Sequence, residues 1–149
     1  MSALASRWLT AWVGDVPVAF PLEEVRQIIL WVPWQAAPPG RPGLAGVLSL
    51  RGEAWPVWDI GRAWGWTARA PGPDTSLVLA RREDGSHLGA FVVDRSGWVV
   101  TAEPRATGAA DAAGAGFTRT IVDPDSGTEH FVMRLAQLVG GSERVGGGA

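Results

Sequence analysis

Cysteine, lysine and tyrosine are all missing from these 149 residues. Without cysteine there is no disulfide, no thiolate nucleophile, no iron–sulfur cluster and no cysteine-ligated zinc. Such a chain is compatible with a reducing cytosol. Without lysine there is no Schiff-base or amine chemistry from the chain itself. All 13 basic residues are arginine, set against 15 acidic ones for a formal net charge of −2. That balance leaves no large basic patch, so no nucleic acid partner is expected. No apolar run reaches the roughly 18 residues a membrane-spanning helix needs. The opening MSALASRWLTAW lacks a cationic region followed by a long apolar one, so no signal peptide is expected. These absences lead to the expectation of a soluble cytoplasmic protein with no direct membrane insertion.

What is abundant is glycine (20), proline (11) and tryptophan (nine). Tryptophan dominates cores and interfaces alike, and about two-thirds of these are expected to be wholly or mostly buried. The length suits one compact domain or two small subdomains sharing a core. The pattern is one of short apolar runs separated by close turn signals. Strands are expected over 7–13, 16–20, 27–32, 44–50, 54–60, 76–82, 87–94, 97–100, 117–122 and 128–134. Asp84-Gly85 is the strongest hairpin turn signal. Leu22–Val25 reads as a single helical turn behind Pro21, Ile60–Trp66 as a short helix capped by Asp59, and Leu135–Val139 as a last helical turn. Trp34–Gly43 and Thr101–Gly116 read as loops. The Pro/Gly-rich stretch near 67–75 reads as a subdomain boundary, and the Gly-rich 141–149 as a disordered tail. The class is mostly β, barrel or sandwich.

Chemistry is sparse. There is no P-loop, G-x-S-x-G, H-x-x-x-H or G-x-G-x-x-G. His87 and His130, the two histidines, read as strand residues with ordinary structural roles. Asp59 and Asp94 both end strands and could form an acid/base pair, yet capping of neighbouring amides accounts for them better. Asp123 and Asp125 lack the spacing of a calcium loop. No cofactor, metal site or catalytic residue is expected. The most informative stretch is Leu44–Ile60. A strand climbs to Arg51-Gly52, and a second descends through Pro56, Val57 and Asp59. An arginine at such a tip offers a planar five-donor fork to a partner's carbonyls or carboxylates.

This hairpin resembles the G-V-I-N-L-R-G-x-V-x-P-V-V-D-L signature of the CheW-like domain, the chemotaxis coupling module. Gly46, Val47, Leu50, Arg51, Gly52, Pro56, Val57 and Asp59 fall in register with it. Val25-Arg26-Gln27-Ile28 resembles the family's V-x-E-I/V segment, with Gln27 in the acidic place. Gly89–Asp94 resembles its L-x-V-D-x-V strand, and Phe131–Leu135 its closing strand, with Arg134 near the expected acid. The resemblance covers residues 6–140 as a single domain. It implies two intertwined five-stranded SH3-like β-barrel subdomains with short helical turns. It also implies a non-enzymatic adaptor that couples the regulatory domain of a CheA-like histidine kinase to the cytoplasmic tip of a methyl-accepting chemoreceptor in membrane-bound receptor arrays. Val25, Gln27, Ile28, Gly46, Leu50, Arg51 and Gly52 are then the partner-binding candidates, with Pro56, Asp59 and Asp94 as structural motif residues. Two other classes compete. One is an aromatic-rich SH3-like module in which Trp31 and Trp34 hold a Pro-rich peptide or a carbohydrate. The other is a small hydrolase using Asp59, Asp94 and a histidine.

Overall fold

The computed structural model describes residues 6–37, 43–63, 65–66, 70–106 and 118–139. Among them, β1 (Ser6–Val13) and β2 (Val16–Pro21) begin one sheet, and a 3-10 turn at Leu22–Glu24 leads out of it. Six strands then build a second sheet: β3 (Val25–Leu30), β4 (Gln35–Ala36), β5 (Leu44–Leu50), β6 (Glu53–Asp59), β7 (Ser76–Arg81) and β8 (His87–Val93). The chain returns to the first sheet with β9 (Arg95–Ala102), β10 (Arg105–Ala106), β11 (Arg119–Val122) and β12 (Glu129–Val132). A helical turn over 135–139 follows, and a four-residue helix, α1 (Ile60–Ala63), follows β6.

The strand orders are β10-β11-β12-β2-β1-β9 and β3-β7-β8-β6-β5-β4. Each sheet thus has five substantial strands and one of two residues. Hairpins supply most of the antiparallel pairs, but β6–β8 and β2–β12 run parallel. The second sheet is therefore an insertion between the two halves of the first.

The apolar pattern decides which face each strand buries. In β7, Leu77 and Leu79 point into one core and Val78 and Ala80 into another. Burial on both faces is why this strand reads as an unbroken apolar run. The core between the sheets joins Leu9, Val18 and Phe20 of the first sheet to Val78, Phe91 and Val93 of the second. Leu48, Trp55, Val57, Leu77 and Leu79 form a further core, against which Ile29 packs. Ile29 and Leu48 come from opposite halves of their sheet, so that sheet curls around this core. Trp8, Ala19, Val100 and Ile121 fill the far face of the first sheet.

Three expectations change. The stretch near 67–75 does not divide the molecule, because β6 before it and β7 and β8 after it share one sheet. Proline and glycine there mark a connection within a sheet. The 34–43 loop contributes β4, and 101–106 holds the end of β9 and all of β10. The rest of the 101–116 loop from 107 onward, and the tail at 141–149, lie outside the described residues. Among the eight tryptophans described, Trp8, Trp55 and Trp58 are buried and Trp12, Trp34 and Trp66 half-buried, while Trp31 and Trp98 are exposed.

Candidate functional site

The β5–β6 hairpin closes between Leu50 and Glu53, leaving Arg51 and Gly52 as the two turn residues. Their φ angles are +51° and +78°. Positive φ at both central positions is the type I′ arrangement, whose twist matches that of the flanking strands. Gly52 meets nothing where a Cβ would stand, so glycine is required there by backbone conformation alone. Arg51 is the one non-glycine residue of positive φ among those described. Left-handed backbone costs such a residue about 1 kcal/mol. Both residues are exposed, and Arg51 forms no ion pair among the described residues. The tip therefore carries an exposed guanidinium on a tightly defined backbone turn.

A polar cluster supports the tip from one side. The His87 ring lies flat on Trp55, with centroids 3.6 Å apart and planes 3° from parallel. Its Nδ1 is 2.8 Å from the Ala54 carbonyl oxygen, and its Nε2 is 2.9 Å from a Glu53 carboxylate oxygen. Arg81 reaches the same carboxylate at 3.4 Å, and its guanidinium carbon lies 5.2 Å from the centroid of the Trp55 ring. In the adjoining turn, the Ser86 hydroxyl and amide hold the Asp84 carboxyl below its ordinary value.

The β3 candidates stand apart from the tip. β3 is one edge of the second sheet, and β7 and β8 separate it from the β5–β6 hairpin. Val25 is half-buried against the inter-sheet core, Gln27 is exposed, and Ile28 is 39 % exposed. Leu30 is more open still, at 73 %. Beside β3 runs a cleft of about 800 Å3, lined by Glu23, Glu24, Val25, Arg26, Arg81 and Arg134 among others. Glu24 is committed there. It accepts from the Leu135 amide at 2.8 Å and pairs with Arg134 at 3.2 Å.

Two candidates face inward instead. Gly46 is buried beneath β4, and a Cβ on it would lie 2.0 Å from the Gln35 carbonyl oxygen. It is a packing glycine and presents nothing to a partner. Leu50 is half-buried against the core of the curled sheet. Pro56 is half-buried in β6. Asp59 accepts from the Arg62 amide at 3.2 Å, capping α1. Asp94 accepts from the Gly14 amide and donates its own amide to the Trp12 carbonyl at 2.9 Å. It caps the β1–β2 turn from across the sheet. Both carboxylates are thus engaged with backbone amides, and His130 is fully buried with Nδ1 3.1 Å from the Val18 carbonyl. A hydrolytic grouping of these residues does not assemble.

The CheW-like domain model matches residues 7–142. The chain belongs to the CheW-like domain family. Its fold is similar to that in the crystal structure of the scaffolding protein TtCheW from Thermoanaerobacter tengcongensis, at a TM-score of 0.76 and 15% identity, over 91% of this chain and 92% of that one. No curated protein matches. The CheW-like match takes in the hairpin tip, the β3 segment and the Asp94 strand together.

The charged cluster around Trp55, the positive φ of Arg51 and the open Leu30 and Trp98 lie beyond the expectations drawn from the sequence. An apolar residue at every position from Ile28 to Val32 was the available signal. A strand apolar on both faces must either be buried on both or expose one, and β3 exposes one at an edge.

Proposed function

We propose that this chain is a non-enzymatic adaptor in chemotaxis-type signal transduction. It couples the regulatory domain of a CheA-like histidine kinase to the cytoplasmic tip of a methyl-accepting chemoreceptor, in the cytoplasm at membrane-bound receptor arrays. The observation that supports this reading is the Arg51–Gly52 turn, an exposed arginine whose backbone stands at φ +51°, on the hairpin that resembles the family's signature and lies within the matched residues 7–142. Backbone strain at an exposed, otherwise unused residue is spent on presentation. Val25, Gln27 and Ile28 on the separate β3 edge supply a second contact region, which suits a protein that must hold two partners at once. The work of such a protein is geometric: it fixes the spacing of its partners and needs no reacting group.

Arg51→Ala tests the reading by titration against kinase and receptor fragments. An arginine at the centre of an interface contributes about 2 kcal/mol, roughly thirtyfold in affinity. Loss of that order for at least one fragment, with folding stability changed by less than about 0.5 kcal/mol, is the expected result. Unchanged affinity for both fragments removes Arg51 from the site.

A further inference from the structure

The parallel ladder between β6 and β8 begins at Val57 opposite Ala90. Pro56, one residue earlier, has no N–H to extend it. The start of β6, which carries the Arg51–Gly52 tip, is joined to β8 by the His87 side chain instead. Its two ring nitrogens face the Ala54 carbonyl at 2.8 Å and the Glu53 carboxylate at 2.9 Å. Both oxygens only accept, and a neutral imidazole carries one N–H. The two contacts can be made together only by the imidazolium. The indole of Trp55, stacked at 3.6 Å, offers a face that favours a cation.

We propose that His87 is a positioning residue of the Arg51–Gly52 tip: only as the imidazolium does it hold the Ala54 carbonyl and the Glu53 carboxylate together, so that loss of its proton costs the start of β6 one of the two contacts. The charged groups around the ring are Glu53 from β6, Arg81 from β7 and Arg82 in the β7–β8 turn, whose Nη1 donates to the His87 carbonyl at 3.2 Å. Asp84, in the same turn, is occupied by Ser86. When the ring loses a proton it can donate to only one of the two oxygens, and the other faces a bare nitrogen lone pair. Glu53 keeps its contact with Arg81 at 3.4 Å in either state.

The latch stands on contacts within the free protein; its effect on docking rests on the adaptor reading above. The test therefore has two arms on the full chain. In the first, 15N NMR follows the His87 ring and the backbone amides of Gly52, Glu53 and Ala54 from pH 5 to pH 9. The chain has two histidines, and a His87→Gln sample assigns the ring. The expected result is a ring titration and amide shifts sharing one midpoint, with the amide shifts lost in Glu53→Gln, whose carboxamide can donate to a bare Nε2. A ring that keeps one charge state throughout, or the same amide shifts in Glu53→Gln, would overturn the latch. In the second arm, affinity for kinase and receptor fragments is measured on either side of the midpoint. A several-fold change in the wild type that is absent in Glu53→Gln is expected. A flat wild-type affinity with the first arm intact would overturn the tip as a docking element and leave the latch standing.

Discussion

At Arg51 the demands of folding and of binding oppose each other. A type I′ turn prefers asparagine or glycine where this chain has arginine, and the left-handed backbone costs it about 1 kcal/mol. Arg51→Asn is therefore expected to raise stability by up to about that amount while weakening partner binding as Arg51→Ala does. Urea denaturation beside a binding titration checks both, and a variant that binds normally would separate the strain from function. His130 shows the reverse case, a polar group retained in the core. Burial pushes its imidazole below the ordinary value, against the Val18 carbonyl and the Asp123 carboxylate, which pull the other way. The folded state keeps the ring neutral to lower pH than the unfolded chain does, which takes up a proton near pH 6.5. The unfolded state then binds more protons as pH falls below that point, so stability drops on going from about pH 7 to pH 5. His130→Gln should show a shallower fall over the same range, and an equal slope would place the pH dependence elsewhere. Neither residue's situation could be read from the sequence. Arg51 was legible as a turn residue, but its φ follows from the two-residue closure between Leu50 and Glu53. His130 was legible as a strand residue, but its burial follows from packing beside Trp12 and Val18.

Among the elements, β9 carries a one-residue bulge, where Thr10 in β1 faces Gly97 and Trp98 together. The buried Thr10 hydroxyl accepts from the Trp98 amide at 2.8 Å and donates to the Trp98 carbonyl at 3.1 Å. One side chain thus replaces the ladder bonds that the extra residue displaces. Gly97 is required by closeness, since a Cβ there would lie 2.3 Å from that hydroxyl. Thr10→Val should cost about 1–3 kcal/mol, the usual penalty of stranded polar groups, and Gly97→Ala should cost more than a surface substitution for steric reasons. Chemical denaturation of both variants measures this, and wild-type stability in Thr10→Val would show that water replaces the hydroxyl freely. Period-two alternation and turn residues made most strands and hairpins legible, down to the helical turns at 22–24 and 135–139. They could not reveal β4, too short for a pattern, nor the full length of β9, whose alternation the bulge breaks. The β3 edge was legible as a strand, but not as the far side of a sheet from the hairpin tip it was grouped with.

The molecule as a whole is knit by contacts that cross the insertion. Asp94 ties the return point to the β1–β2 turn, Glu24 at the exit point caps the helical turn over 135–139, and the inter-sheet core draws on both sheets. Neither sheet can lose its partner without exposing that core. Unfolding is therefore expected as one transition, with tryptophan fluorescence and far-UV circular dichroism giving the same urea midpoint. Separate midpoints would show that the inserted sheet stands alone. The sheet orders behind this were beyond local sequence reading, because the parallel pairs β6–β8 and β2–β12 join strands that are not neighbours in the chain. The second of these pairs also bears on synthesis. Val18 and His130, 112 residues apart, are in contact, so β2 leaves the ribosome long before the strand that will cover its side. While the inserted sheet is being made and folded, the β1–β2 hairpin waits with an open, apolar edge, the kind of surface that chaperones shield and that pairs wrongly when crowded. A nascent chain halted just after β9 would carry a finished second sheet and an unfinished first one, and β12, the last of the described strands to emerge, is the one that covers β2.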